Sequence, residues 1–170
     1  MKITLEAIKS MGYQTILVYP NSDAGSLGTI RAIKEYEKLI PHMKVFRNLA
    51  REEFVNVMRA ADCLVGNSSA GILEAGFFHL PVVNVGNRQK GREHGKNVRF
   101  VPHEKDKIIA AVKKACFDKR YLTAVKSAPH LFGDGHSVRR IVNILANTPF
   151  IDKLVIKIND RAAKSARTKH

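Results

Sequence analysis

A chain of 170 residues with 45% apolar content is long enough for one domain with a sizeable core, or one domain and a tail. No run approaches the roughly 18 apolar residues of a membrane helix, and the opening MKITLEAIKSMGYQ lacks a signal peptide's apolar stretch, so no membrane partner and a cytoplasmic location are expected. Lys and Arg number 29 against 15 Asp and Glu, and the resulting +14 favours anionic partners, while two cysteines make no disulfide framework.

The elements alternate along the chain. Ile3, Leu5, Ile8 and Met11 suit an amphipathic opening helix. QTILVY (14–19) predicts a strand, SLGTIRAIKEYEKLI (26–40) a helix, MKVFRNL (43–49) a strand and REEFVNVMRAA (51–61) a helix. DCLVG (62–66) reads as a strand, SAGILEAGFFH (69–79) as a helix and PVVNVG (81–86) as a strand. NVRFV (97–101) is a further strand, and EKDKIIAAVKKACF (104–117) a further helix. Apolar strands separated by helices of about ten residues or more imply right-handed βαβ units in a parallel sheet covered on both faces. The fold class is therefore α/β, a Rossmann-like parallel sheet flanked by helices. It opens on a helix, so the domain, taken as residues 1–149, is read as lacking its first strand. Past Phe117 come helix or turn segments, the Gly133-Asp134-Gly135 turn, Ser137 as a cap, and the helix VRRIVNILAN. Residues 150–170 form a basic tail.

Ligands of such sheets sit where loops leave the carboxyl ends of the strands. Gly66-Asn67-Ser68-Ser69 lies at such an end. Ser68 and Ser69 can cap the next helix, or can turn their hydroxyls to a phosphate beside its unpaired N–H groups. Glu74 is the one charged residue between Asp62 and Arg88. It stands past any capping-box position, and burial there demands a partner. Either a Lys or Arg pairs with it, or it accepts the two hydroxyls of a ribose, completing a nucleotide clamp. PNSDAGS (20–26) offers polar groups on the same rim, as a ligand loop or as a turn capped by Asp23. GNRQKGRE (86–93) places Arg88, Lys90 and Arg92 between glycines, as a diphosphate loop or as a solvated basic one. Seven histidines lack metal-ligand spacing, so His79, His94 and His103 are read as surface or packing residues; no metal and no cofactor is expected.

PNSDAGS, GNSSAGILEAGFFHLPVVNVGNRQKGR and FGDG, in this order, resemble the C-terminal half of the hydrolysing UDP-N-acetylglucosamine 2-epimerases, over roughly Leu5 to Leu145. The resemblance implies the C-terminal half of a two-domain GT-B-like fold with a UDP-sugar in the interdomain cleft. It implies elimination of UDP with loss of the C2 proton, then hydration, without metal or NAD. It places Ser68 and Ser69 at the diphosphate, Glu74 at the ribose, Asn21 and Arg88 along the UDP site, and the backbone near Leu49 at uracil. The family's catalytic carboxylates belong to an N-terminal domain that this chain lacks, so no catalytic residue is assigned here. That domain is the expected partner, in an enzyme expected to be a homo-oligomer. Phe132 replaces the family's tyrosine before Gly-Asp-Gly, and the basic tail has no family counterpart. The rivals are a UDP-binding half acting on a diacetamido sugar, a glycosyltransferase's donor-binding half, and a non-catalytic polyanion-binding module. Nucleic acid is not the expected partner, since aromatic interleaving is thin and tryptophan absent.

Overall fold

The computed structural model describes residues 1–20, 26–129 and 131–149, and it divides into two units, residues 1–132 and 133–170. The chain enters the first unit on α1 (Lys2–Met11). Its buried residues are Thr4, Leu5 and Ala7, whereas Ile3, expected inside, is 42% exposed. At about 100° per residue, Leu5, Ile8, Thr4, Met11 and Ala7 sweep an arc of roughly 160° with Ile3 beyond its edge. So wide an arc serves two cores. Leu5 packs with Ala32, Ile33, Tyr36, Ile40 and Met43, while Ala7 packs with Val83, Val85, Ile108 and Val112.

β1 (Thr15–Val18) pairs in parallel with β2 (Met43–Phe46), with α2 (Ser26–Glu37) crossing between them. α3 (Arg51–Ala60) leads to β3 (Leu64–Gly66), followed by α4 (Ser69–Leu73), a 3-10 turn (Ala75–Phe78) and β4 (Val82–Val85). β5 (Val98–Val101), α5 (Lys105–Phe117) and α6 (Lys119–Lys126) complete the unit. β3, β4 and β5 form a parallel sheet in that order. The α/β class with parallel pairing and flanking helices is therefore the fold, its elements a few residues shorter than their apolar runs.

The sheet differs from the sequence expectation in two ways. The ladder is not continuous: β1-β2 and β3-β4-β5 are separate sheets. Coverage on both faces is complete only for β4, whose four residues are all buried, while β1, β2, β3 and β5 are partly exposed.

The predicted helix 69–79 is also broken. The α-helix stops at Leu73, and a tighter turn brings the chain to His79, in left-handed backbone at φ 51°, before Pro81 opens the path into β4. Pro81 disfavours helical backbone at Leu80, so no helix runs on into β4.

In the second unit, α7 (Ser137–Asn147) begins at Ser137 itself, so Ser137 is the first helical residue and not the cap. Asp134 does the work at that end: its carboxylate accepts the His136 N–H at 3.1 Å and binds the Arg140 guanidinium at 2.6 and 2.7 Å. The basic tail from residue 150 lies outside the described residues. No helix among the described residues is long and apolar enough to cross a membrane.

Candidate functional site

The carboxyl ends of β2, β3 and β4 each release a loop; one side-chain contact ties the β3 and β4 loops, and another joins the start of α3 to the end of α4. β3 ends at Gly66, whose φ of 151° lies where side chains are rarely tolerated, so glycine sharpens the exit from the strand. Asn67 and Ser68 follow. Ser68 is the N-cap of α4, its Oγ accepting the Ala70 N–H at 3.3 Å, and Ser69 is the first residue of the helix; both are exposed. The capping alternative is thus realised by Ser68, and it leaves the Ser69 hydroxyl uncommitted to the cap.

Glu74 stands at the other end of this five-residue helix, roughly 9 Å further along the axis. It is not an isolated buried acid. Its Oε2 lies 2.5 Å from Nη1 of Arg51, and the two side chains are 32% and 69% exposed. The cationic partner weighed in the sequence is therefore present, as the first residue of α3. Such a half-exposed pair is worth about 1 kcal/mol at most, weak enough for a ligand's hydroxyls to compete for the carboxylate. Leu49, half-buried, lies two residues before Arg51 in the loop after β2. Glu53 holds the start of α3, its carboxylate accepting the Ala50 N–H at 2.8 Å.

The loop after β4 starts at Gly86, at φ 85°, where an added Cβ would lie 2.4 Å from Nε2 of His103. Glycine leaves room for that imidazole beside the strand exit, and His103 itself is exposed, a surface residue. Arg88 follows, and beside it Gln89 is almost fully buried. Its Nε2 donates to the Asn67 carbonyl at 2.9 Å, fastening the β4 loop to the β3 loop. Its Oε1 is buried without a partner, a cost that rigid positioning of the two loops has to offset.

Arg51 and Gln89 are the residues that sequence reasoning passed over. Arg51 looked like the start of a helix, and Gln89 was an uncharged letter between two cations. Asn21, with the rest of the 21–25 loop, lies outside the described residues. His79 is exposed too, its Nδ1 3.2 Å from the Val125 carbonyl. Among the described residues no three His, Cys, Asp or Glu side chains gather as metal ligands. A groove of about 810 Å³ opens elsewhere, between Tyr19, Lys34, Lys38 and Arg47. It is wide and walled by long flexible side chains, so the loop rim is the better-built site.

A family model described as UDP-N-acetylglucosamine 2-epimerase matches residues 1–146. The chain belongs to the UDP-N-acetylglucosamine 2-epimerase family. It is 33% identical over 155 residues to a UDP-N,N'-diacetylbacillosamine 2-epimerase (hydrolyzing) of Legionella pneumophila, covering 91% of this chain and 40% of that protein. It is 32% identical over 111 residues to a UDP-N-acetylglucosamine 2-epimerase of Neisseria meningitidis, covering 65% of this chain and 29% of that one. Among solved structures, the N. meningitidis UDP-GlcNAc 2-epimerase bound to UDP-GlcNAc superposes with a TM-score of 0.67 at 14% identity, over 87% of this chain and 41% of that one. The epimerase of Methanocaldococcus jannaschii gives 0.60 at 23%, over 85% and 40%. These superpositions establish the GT-B-like epimerase fold. The chain spans about two-fifths, or less, of the length of these relatives.

Proposed function

We propose that this chain is the UDP-binding half of a hydrolysing UDP-N-acetylglucosamine 2-epimerase, which converts UDP-N-acetylglucosamine to N-acetylmannosamine and UDP. The observation that carries the reading is the Gln89–Asn67 bond that fastens the β4 loop to the β3 loop, beside the Arg51–Glu74 pair that joins the start of α3 to the end of α4. In this reading Ser68, Ser69 and Arg88 hold the diphosphate. Glu74 exchanges Arg51 for the ribose hydroxyls, Leu49 presents its backbone to uracil, and Asn21 is a further UDP-binding residue. Held this way, UDP is anchored as a leaving group. Its departure with the C2 proton needs a positioned base, which the reading assigns to the complementary N-terminal half. The working enzyme is then a cytoplasmic assembly of both halves, and this chain alone binds without turning over.

The 33% identity to a diacetamido-sugar epimerase over nearly the whole chain favours one second reading, in which the same UDP site serves a diacetamido sugar. The +14 charge favours another, a polyanion-binding module with salt-steep affinity and no nucleotide preference.

Titration with UDP, followed by amide NMR, tests the proposal. Millimolar UDP is expected to shift Ser68, Ser69, Glu74 and Arg88, and Glu74→Ala to weaken binding at least about tenfold, the loss expected of a hydrogen-bonded charge. Unmoved resonances at those positions would reject the site. Equal affinity for UDP and inorganic polyphosphate would favour the polyanion reading.

A further inference from the structure

Cys63 immediately precedes β3, at the opposite end of that strand from Gly66-Asn67-Ser68. Successive side chains of a strand alternate between faces, and the cores follow that alternation. Leu64 joins the core of Met58 and Ile72, whereas Cys63 and Val65 join the core that α1 and α5 build over β4. α5 reaches the same core through Ile108, Ala111, Val112 and Ala115, and Cys116 continues that stripe one turn from Val112. Sheet and helix thus deliver one cysteine each to one place. Both are half-buried and free, and their side chains hydrogen-bond to each other.

The two thiols are not equivalent. The Cys63 S–H is placed for two acceptors, the Cys116 sulfur and, at 3.8 Å, the Leu64 carbonyl. Its hydrogen bond to Cys116 and its burial push the Cys63 pKa up, so this sulfur keeps its proton. The same hydrogen bond pulls the Cys116 pKa down, against the opposing effects of burial and of Asp62. The thiolate is the nucleophile in sulfur chemistry, and a buried thiol without such help is inert. Cys116 is therefore the sulfur that reacts, and Cys63 the one held against it.

We propose that Cys63 and Cys116 are a hydroperoxide-sensitive dithiol, in which Cys116 attacks the peroxide and Cys63 closes a disulfide within the chain. In the first step the Cys116 thiolate takes one peroxide oxygen with its hydrogen. The S–O bond forms, the O–O bond breaks, and the departing hydroxide takes up a proton and leaves as water. In the second step the Cys63 sulfur displaces the sulfenic oxygen. The S–S bond forms, the S–O bond breaks, and that oxygen leaves as a second water with the Cys63 proton. Two thiols have then given two electrons and two protons to one peroxide, and a dithiol reductant reverses the change by exchange. The bridge encloses β3, α4, β4, β5 and most of α5, and so constrains the unfolded chain across the whole three-stranded sheet. It lies away from the loops of the candidate site, and its chemistry does not depend on what those loops bind.

Mass spectrometry of the full chain, treated with hydrogen peroxide and then sealed with N-ethylmaleimide, tests the proposal. With about one equivalent of peroxide the native chain should lose two hydrogens, take up no maleimide and yield a linked Cys63–Cys116 peptide. It should do so at least about tenfold faster than the same chain in concentrated urea, because folding holds the sulfurs together. Dithiothreitol should restore both thiols. In Cys63→Ser, Cys116 should stop at the sulfenic acid and be trapped by dimedone, whereas Cys116→Ser should react at least about tenfold more slowly. Two maleimides on the peroxide-treated parent chain would overturn the proposal. A disulfide between two copies, or equal rates in native and unfolded chain, would do the same without recourse to any variant. So would dimedone on Cys63 in Cys116→Ser at the rate seen in Cys63→Ser.

Discussion

The two sheets of the first unit differ in a way that composition hides. β1 and β2 are as apolar as β4, yet they remain half-exposed and share one core with α1 and α2. β4 is buried throughout because it lies between two strands and two cores, one built on α1 and α5 and the other on α3 and α4. The loops of the candidate site that are tied directly hang on β3 and β4, so that tie belongs wholly to the three-stranded sheet. Rigidity and candidate chemistry thus coincide there, as they must where a ligand is to be held in fixed geometry.

The largest expected effect tests this contrast through packing. Ile108 is fully buried against β4, so Ile108→Ala should cost about 2–5 kcal/mol in chemical denaturation. Ile16→Ala, on the half-exposed strand, should cost about 1 kcal/mol or less. Equal losses would mean that the two sheets share one continuous core. A smaller effect concerns the loops. Gln89→Ala removes the bond to Asn67 and should cost about 1 kcal/mol of stability. If the tie orients the site, UDP affinity measured by calorimetry should fall about three- to tenfold, a loss that a purely structural role would not produce.

The order of elements was legible in the sequence because apolar, β-branched runs separated by capped helices leave few topologies open. The Gly, Asn and Ser cluster after β3 announced a break between strand and helix, but it suits a helix cap as well as a ligand, and Ser68 is found as the cap. What the sequence withheld was pairing. Nothing in Arg51 announced that it would meet Glu74 from another helix, and nothing in TILV distinguished a strand with one neighbour from a strand with two. Ile3 was misplaced for the same reason: its spacing suits a helix facing one core, and α1 faces two.

Arg51→Ala sharpens the comparison at lower energy. The pair bridges the first residue of α3 and the end of α4, and it is exposed enough that its loss should change stability by about 1 kcal/mol or less, an effect that fades in high salt. If Glu74 exchanges this arginine for a ribose, the variant should bind UDP no more weakly than the parent. A tenfold weaker variant would instead place Arg51 on the ligand.

The smallest effect separates the two halves through one tyrosine in each. Tyr36, in the core shared by α1 and α2, donates its hydroxyl to Glu6, and chiefly that bond to a carboxylate pushes its pKa up to about 12. Tyr121, beside the three-stranded sheet, donates to the Asn97 carbonyl at 2.8 Å and is also pushed up to about 12, but by burial, with Arg99 over its ring opposing the rise. Equal values therefore have different causes. Glu6→Ala should return Tyr36 toward the ordinary value near 10 and leave Tyr121 where it is, which ultraviolet absorbance of the phenolates reads directly. Both shifts are upward, so both tyrosines lend stability that is complete below about pH 10 and lost as the pH climbs toward 12. In the Glu6→Ala variant Tyr121 alone should still contribute that alkaline loss. A variant whose stability above pH 10 matches the parent's would show that Tyr36 and Glu6 do not couple α1 to α2.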